Sequence, residues 1–97
     1  MKMQGLLNDV VWDLSISVRL LIVDDDAFLR TTLRQQLASE GFNEVVEAST
    51  LLEVFDKLPD AKPDLILLDV CLPDGNGLEI CRKLRERGFT KPIVMLT

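Results

Sequence analysis

Ninety-seven residues allow one small domain with a modest core and no more. Eleven basic residues against sixteen acidic ones give a formal charge of −5, which argues against nucleic-acid binding by this segment, because affinity for a phosphate backbone comes from Lys and Arg. With no histidine and only two cysteines, Cys71 and Cys81, the composition suits neither a zinc site nor a disulfide framework.

Residues 1–17 read as an extension separate from a domain at 18–97. Leu7, Val10, Val11 and Leu14 keep helical spacing around the single tryptophan, Trp12, so the segment is either a short amphipathic helix or a frayed tail. Asn8, Asp9 and Asp13 interrupt it too early for a signal peptide, and no apolar run reaches membrane-spanning length. A reducing cytoplasm, away from membranes, is the expected setting.

The domain opens with an apolar strand, Val18 to Val23. A helix follows over Ala27 to Ser39, with Leu29, Leu33 and Leu37 on one face, Asp26 as N-cap and Gly41 as the left-handed stop. Val45-Val46, flanked by Glu44 and Glu47, centre a short strand suited to a sheet edge. Thr50 and Glu53 form a capping box that opens a helix carrying Leu51, Val54, Phe55 and Leu58. Pro59 and Pro63 are expected to break the chain before the strand Leu65 to Leu68. A loop from Val70 to Gly77 contains Pro73 and two glycines. The next helix, Leu78 to Arg87, packs on Leu78, Cys81 and Leu84 and stops at Gly88. Its Arg82, Lys83, Arg85 and Arg87 alternate with Glu79 and Glu86, the pattern of a solvated face. Ile93 to Leu96 forms the last strand, and the chain stops at Thr97. Alternating strands and helices predict a parallel α/β sheet.

Two of these strands run directly into acid: the first into Asp24-Asp25-Asp26, the third into Asp69. In an open parallel sheet, ligands collect at the carboxyl ends of the strands. If Asp24, Asp25 and Asp69 lie within about 4–6 Å, each like-charge pair costs on the order of 3–4 kcal/mol at an effective dielectric of 20. No Lys or Arg follows closely after either strand, so a hard divalent cation, Mg2+, is the expected remedy. Beside such an ion a carboxylate oxygen can attack phosphorus in line, and Asp69, alone at its strand end, suits that role better than the crowded run. Thr97 ends its strand in the same manner and places a hydroxyl at the same rim.

At these residues the chain resembles the receiver (CheY-like) domain of bacterial two-component response regulators. The matching stretches are Leu21 to Asp26, Pro63 to Asp69, Leu72 to Gly77 and Pro92 to Thr97, within a match from Val18 to Thr97. The resemblance implies a flavodoxin-like (CheY-like) doubly wound parallel sheet of order 2-1-3-4, partial because the family's fifth strand is missing. It further implies that Asp69 accepts a phosphoryl group from a histidine kinase, a phosphotransfer protein or a small donor such as acetyl phosphate. Asp25 would ligate Mg2+ directly, Asp24 through water, and Cys71 through its backbone carbonyl. Thr97 would be the switch hydroxyl, Gly77 would permit the turn into the third helix, and Asp26 would only cap. The family's lysine at the end of the fifth strand has no counterpart, since Lys91 precedes the last strand at the opposite end of the sheet. A C-terminally truncated receiver is therefore expected, one that phosphorylates poorly and exposes its last strand to self-association.

The implied role is a phosphorelay signalling module, not a turnover enzyme, read by a downstream effector domain or partner. Two other readings remain at this point. One is a receiver-like protein-interaction fragment that is not phosphorylated. The other is a haloacid-dehalogenase-like phosphatase, with Asp24 as nucleophile and Asp26 as general acid.

Overall fold

The computed structural model describes residues 18–96; residues 1–17 and Thr97 lie outside the described residues. In chain order the strands are β1 (Arg19–Val23), β2 (Glu44–Ala48), β3 (Leu65–Asp69), two minor strands, β4 (Cys71–Leu72) and β5 (Gly75–Asn76), and β6 (Ile93–Leu96). The four longer strands form one parallel sheet. Their order is β2-β1-β3-β6, the expected 2-1-3-4 arrangement with β6 as its fourth member. Helices α1 (Ala27–Ser39), α2 (Leu51–Ala61) and α3 (Gly77–Glu86) connect them. Because successive side chains of a strand point to opposite faces, β1 and β3 each feed two cores. Leu21, Val23, Ile66 and Leu68 pack with Val54 of α2 and Ile80 and Leu84 of α3. Leu20 and Ile22 are buried with Val45 on the other face, against the half-buried Leu33 and Leu37 of α1. Leu29, expected on that stripe, is 39% exposed.

Three expectations need correction. Helix α2 runs through Pro59 to Ala61 instead of stopping before it. Pro59 sits in the last turn, where its missing N–H forfeits one bond, and the Lys62 N–H then closes the helix on the Leu58 carbonyl at 3.1 Å. Lys62 ends it in the left-handed region, with φ of 43°, and its carbonyl accepts from Arg19 Nε at 2.9 Å. In α3 the apolar stripe is Gly77, Ile80 and Leu84, while Leu78, one residue off the stripe, is exposed. The segment expected to be a plain loop holds a minimal antiparallel hairpin, β4 with β5.

The parallel register sets the site. Val23 pairs with Ala48 on one side and Leu68 on the other, so the residues that follow β1 and β3 emerge together at one rim. Gly41 and Gly88 take φ of 95° and 91° where α1 and α3 end, as the left-handed stops required.

Candidate functional site

At this rim Asp24, Asp25 and Asp69 converge, each offering a carboxylate oxygen within 4.8 Å of the others'. Asp24 is buried, Asp25 exposed and Asp69 half-buried. The Asp24 backbone continues the sheet by donating to the Ala48 carbonyl at 3.1 Å, and its Oδ1 accepts from the Asp26 N–H at 2.8 Å. Asp26 turns away: its Oδ1 accepts from the Phe28 and Leu29 N–H groups at 3.0 and 3.2 Å, capping α1 as expected. Asp69 Oδ1 accepts from the Cys71 N–H at 3.3 Å. Burial is the main cause that pushes the Asp24 carboxyl up, and the charges of Asp69, Asp25 and Asp26 push it the same way against the Asp26 N–H bond.

A cation does come close, contrary to expectation. Arg30, one turn into α1, reaches back so that its Nη1 donates to the Asp24 backbone carbonyl at 2.6 Å. Its charge is spent elsewhere, because Nε pairs with Glu47 at 3.1 Å, and Arg34 pairs with the same carboxylate at 2.6 Å. Among the described residues no ion pair involves Asp24, Asp25 or Asp69. Arg30 therefore positions the strand end without neutralising the pocket. The spacing of four between Asp26, Arg30 and Arg34 was the available sequence signal, since it places all three on one helix face.

The two arginines hold Glu47 below the ordinary glutamate value of 4.5. A depressed carboxylate contributes stability above its unfolded value that is lost as pH falls through its folded value. Glu47→Gln should thus lower unfolding free energy by about 1–2 kcal/mol at neutral pH. In urea titrations the gap to wild type should close as pH drops below the glutamate range. A gap of constant size would show that charge is not its cause.

The hairpin that follows Asp69 is held at both ends. At its base the Gly77 N–H donates to the Val70 carbonyl at 2.6 Å. At its tip Asp74 Oδ1 and Oδ2 accept from the Leu51 and Leu52 N–H groups of α2, at 2.8 and 3.2 Å. Gly77 is needed for close approach and not for a special turn: a Cβ there would lie 2.8 Å from Val70 Cα and 3.3 Å from the Asp69 carbonyl oxygen. Nothing in the local sequence pattern points to Asp74, whose partners are 22 and 23 residues away.

Of the expected site residues, the structure brings together Asp24, Asp25 and Asp69, with Cys71 adjacent. Thr97 lies outside the described residues. Lys91 lines a cleft with Arg19 and Asp64 at the opposite end of β1 and β3, as its position required. The phosphatase reading finds no support in this geometry, because Asp24 is buried and the Asp26 carboxylate is committed to the α1 cap. The donor set is all oxygen and crowded with negative charge, which fits a magnesium ion.

A family model described as the response regulator receiver domain matches residues 20–97. The chain belongs to the response regulator receiver domain family. Response regulator MprA of Mycobacterium tuberculosis is 43% identical to it over 82 residues, 84% of this chain and 35% of that protein. The non-phosphorylated receiver domain of HemR from Leptospira biflexa superposes with a TM-score of 0.74 at 32% identity, covering 84% of this chain and 64% of that one. The MaeR response regulator bound to beryllium trifluoride gives 0.77 at 30% identity, covering 82% and 66%. This receiver chain thus spans about a third of the length of the curated relatives it matches. Receiver domains are, as a class, signalling modules of two-component systems. Among the described residues no helix is long and apolar enough to cross a membrane.

Proposed function

We propose that this receiver domain accepts a phosphoryl group on Asp69 in a magnesium-dependent reaction, delivered by a histidine kinase or phosphotransfer protein and read by an effector domain or partner. The observation that carries this reading is the convergence of three carboxylates, with the half-buried Asp69 as the member alone at its strand end. That MaeR binds beryllium trifluoride supports it, since this fluoride takes the tetrahedral shape of a phosphoryl group when it gains an oxygen ligand.

Asp25 and Asp69 would hold magnesium directly, Asp24 through water, and Cys71 through its carbonyl. When bound there, the ion supplies positive charge for the phosphoryl oxygens. The chain's own residues do the rest. The Cys71 N–H holds Asp69 Oδ1 and orients the carboxylate, while no protein donor among the described residues engages Oδ2. One carboxylate oxygen attacks phosphorus in line. The phosphorus–nitrogen bond of a phosphohistidine then breaks, and the imidazole leaves with the electron pair and takes up a proton from solvent. With acetyl phosphate the phosphorus–oxygen bond breaks and acetate leaves. Thr97 would offer its hydroxyl to the phosphoryl group, as the family resemblance implies, and the resulting shift in conformation is what a partner reads.

The test is incubation of the chain with acetyl phosphate, with and without Mg2+, followed by intact mass and peptide mapping. The expected result is magnesium-dependent addition of one phosphoryl group on the peptide containing Asp69. Label on another residue, or label indifferent to magnesium, would overturn the reading. Chain that stays unlabelled while the kinase is also supplied would favour the interaction-only role.

Magnesium should also stabilise the folded chain, because the unfolded chain offers no assembled cluster. At a concentration one hundred times Kd the gain is about 2.7 kcal/mol. Asp25→Asn should remove most of it, measured as the shift of the urea midpoint on adding Mg2+. Equal shifts in both proteins would place the ion elsewhere.

A further inference from the structure

We infer that Asp74 is a positioning residue for the acidic pocket, tying the hairpin after β3 to the N-terminus of α2 and thereby fixing the Cys71 backbone beside Asp69. The inference rests on the proposed cation site, and deepens it by naming what holds one of its ligands in place.

The first turn of a helix has N–H groups without intrahelical partners. In α2 the capping side chain, Thr50 Oγ1, accepts only from the Glu53 N–H, at 3.1 Å. The other two N–H groups, on Leu51 and Leu52, are taken one each by the two oxygens of Asp74. The Leu51 N–H, and after it the Leu52 N–H, hold the Asp74 carboxyl below its usual range, as expected of an anion at a helix N-terminus.

The consequence lies at the other end of the hairpin. Pairing between β4 and β5 involves only two positions, Cys71 with Asn76 and Leu72 with Gly75. So short a ribbon has little stability of its own and takes its position from its anchors. Leu72 is one anchor, packed with Leu51 and Ile80 in the main core. The Gly77–Val70 bond is the second, at the base. Asp74 is the third and holds the tip. Cys71 lies between base and tip, with its N–H on Asp69 Oδ1, and its carbonyl is the one proposed to ligate the cation. Releasing the tip lets the ribbon pivot about its base, and both Cys71 groups move with it. Asp74 itself makes no hydrogen bond to Asp69 and stands outside the cluster of Asp24, Asp25 and Asp69.

The test is isothermal titration of the full chain with Mg2+, at a temperature where circular dichroism shows every variant folded. Asp74→Ala should bind Mg2+ roughly tenfold more weakly, the low end of what loss of outer support costs a metal site. Asp74→Asn keeps one acceptor and turns its NH2 toward the second N–H, so its affinity should fall between the two. Thr50→Ala is the control: it removes the other cap of the same helix and lowers the urea midpoint, yet leaves the hairpin tied. It should bind Mg2+ as wild type does. Wild-type affinity in both Asp74 variants, or equal weakening in Thr50→Ala, would overturn the inference and leave Asp74 a helix cap. If neither Asp74 variant folds, the residue belongs to the fold and the positioning role is rejected. If wild-type chain itself takes no Mg2+, the proposed cation site fails first, which is a different result.

Discussion

Asp69→Asn should end phosphoryl incorporation while leaving the folded chain intact. An amide oxygen of neutral Asn is a poor nucleophile toward phosphorus, and the change also removes one of the carboxylates proposed to hold the ion. Size and hydrogen bonding are kept, since the amide oxygen can still accept the Cys71 N–H that Asp69 Oδ1 accepts now. The electrostatic consequence runs in favour of stability. Asp69 is one of the charges that push the Asp24 carboxyl up. A carboxyl raised on folding contributes stability below its unfolded value of 3.8, and that contribution is lost as pH rises through the folded value. Relieving the repulsion should therefore make metal-free Asp69→Asn at least as stable as wild type at neutral pH, by on the order of 1 kcal/mol. Label from acetyl phosphate should fall to background in the same samples. Wild-type labelling in the variant would remove Asp69 from its proposed role, whatever the stability shows.

Gly77→Ala should destabilise the chain and displace the strand end that carries Asp69. Two effects compete. Alanine at a helix position is intrinsically favoured over glycine by up to about 1 kcal/mol. Against this, the new Cβ would sit 2.8 Å from Val70 Cα, 3.3 Å from the Asp69 carbonyl oxygen and 3.1 Å from Met95 Sδ. The methionine can move, but the backbone of Val70 cannot without dragging Asp69 and the 2.6 Å Gly77–Val70 bond with it. Overpacking of this kind costs about 1–3 kcal/mol, so the clash wins. The expected result is a lower urea midpoint together with weaker Mg2+ binding. Gly75→Ala is the matched control: its nearest neighbours would be 3.5 Å away, at ordinary contact, and no positive φ is involved. If Gly77→Ala were as benign as Gly75→Ala, the close approach would have no energetic weight.

The receiver architecture is legible in the sequence because it depends on short-range signals. Continuous apolar runs at Leu20 to Val23 and Leu65 to Leu68, alternating with helical periodicity, are enough to write β1, β2, β3 and β6 into a parallel sheet. Caps are equally legible: Asp26 and Thr50 each satisfy N–H groups two or three residues away, a distance over which the local sequence decides the bond. Sequence and structure part where packing overrules a local rule. Pro59 does not end α2, because Leu51, Val54, Phe55 and Leu58 already commit that face to the core. Hydrophobicity alone gives Leu78 to the core, yet the α3 face that meets the sheet carries Ile80 and Leu84.

What the order of residues determined by itself was the fold class and the identity of the acids that meet, because a parallel sheet must deliver the ends of adjacent strands to one rim. What only the tertiary structure decided was how those acids are held. The Arg30 contact with the Asp24 carbonyl depends on how α1 settles against β2, where Glu47 takes the arginine's charge. The Asp74 tether depends on two helix N–H groups more than twenty positions earlier in the chain. The ban on a side chain at residue 77 depends on the approach of Val70. Each is a distance between residues remote in sequence, or between backbones whose spacing only the packed sheet sets, and no local pattern encodes such a distance.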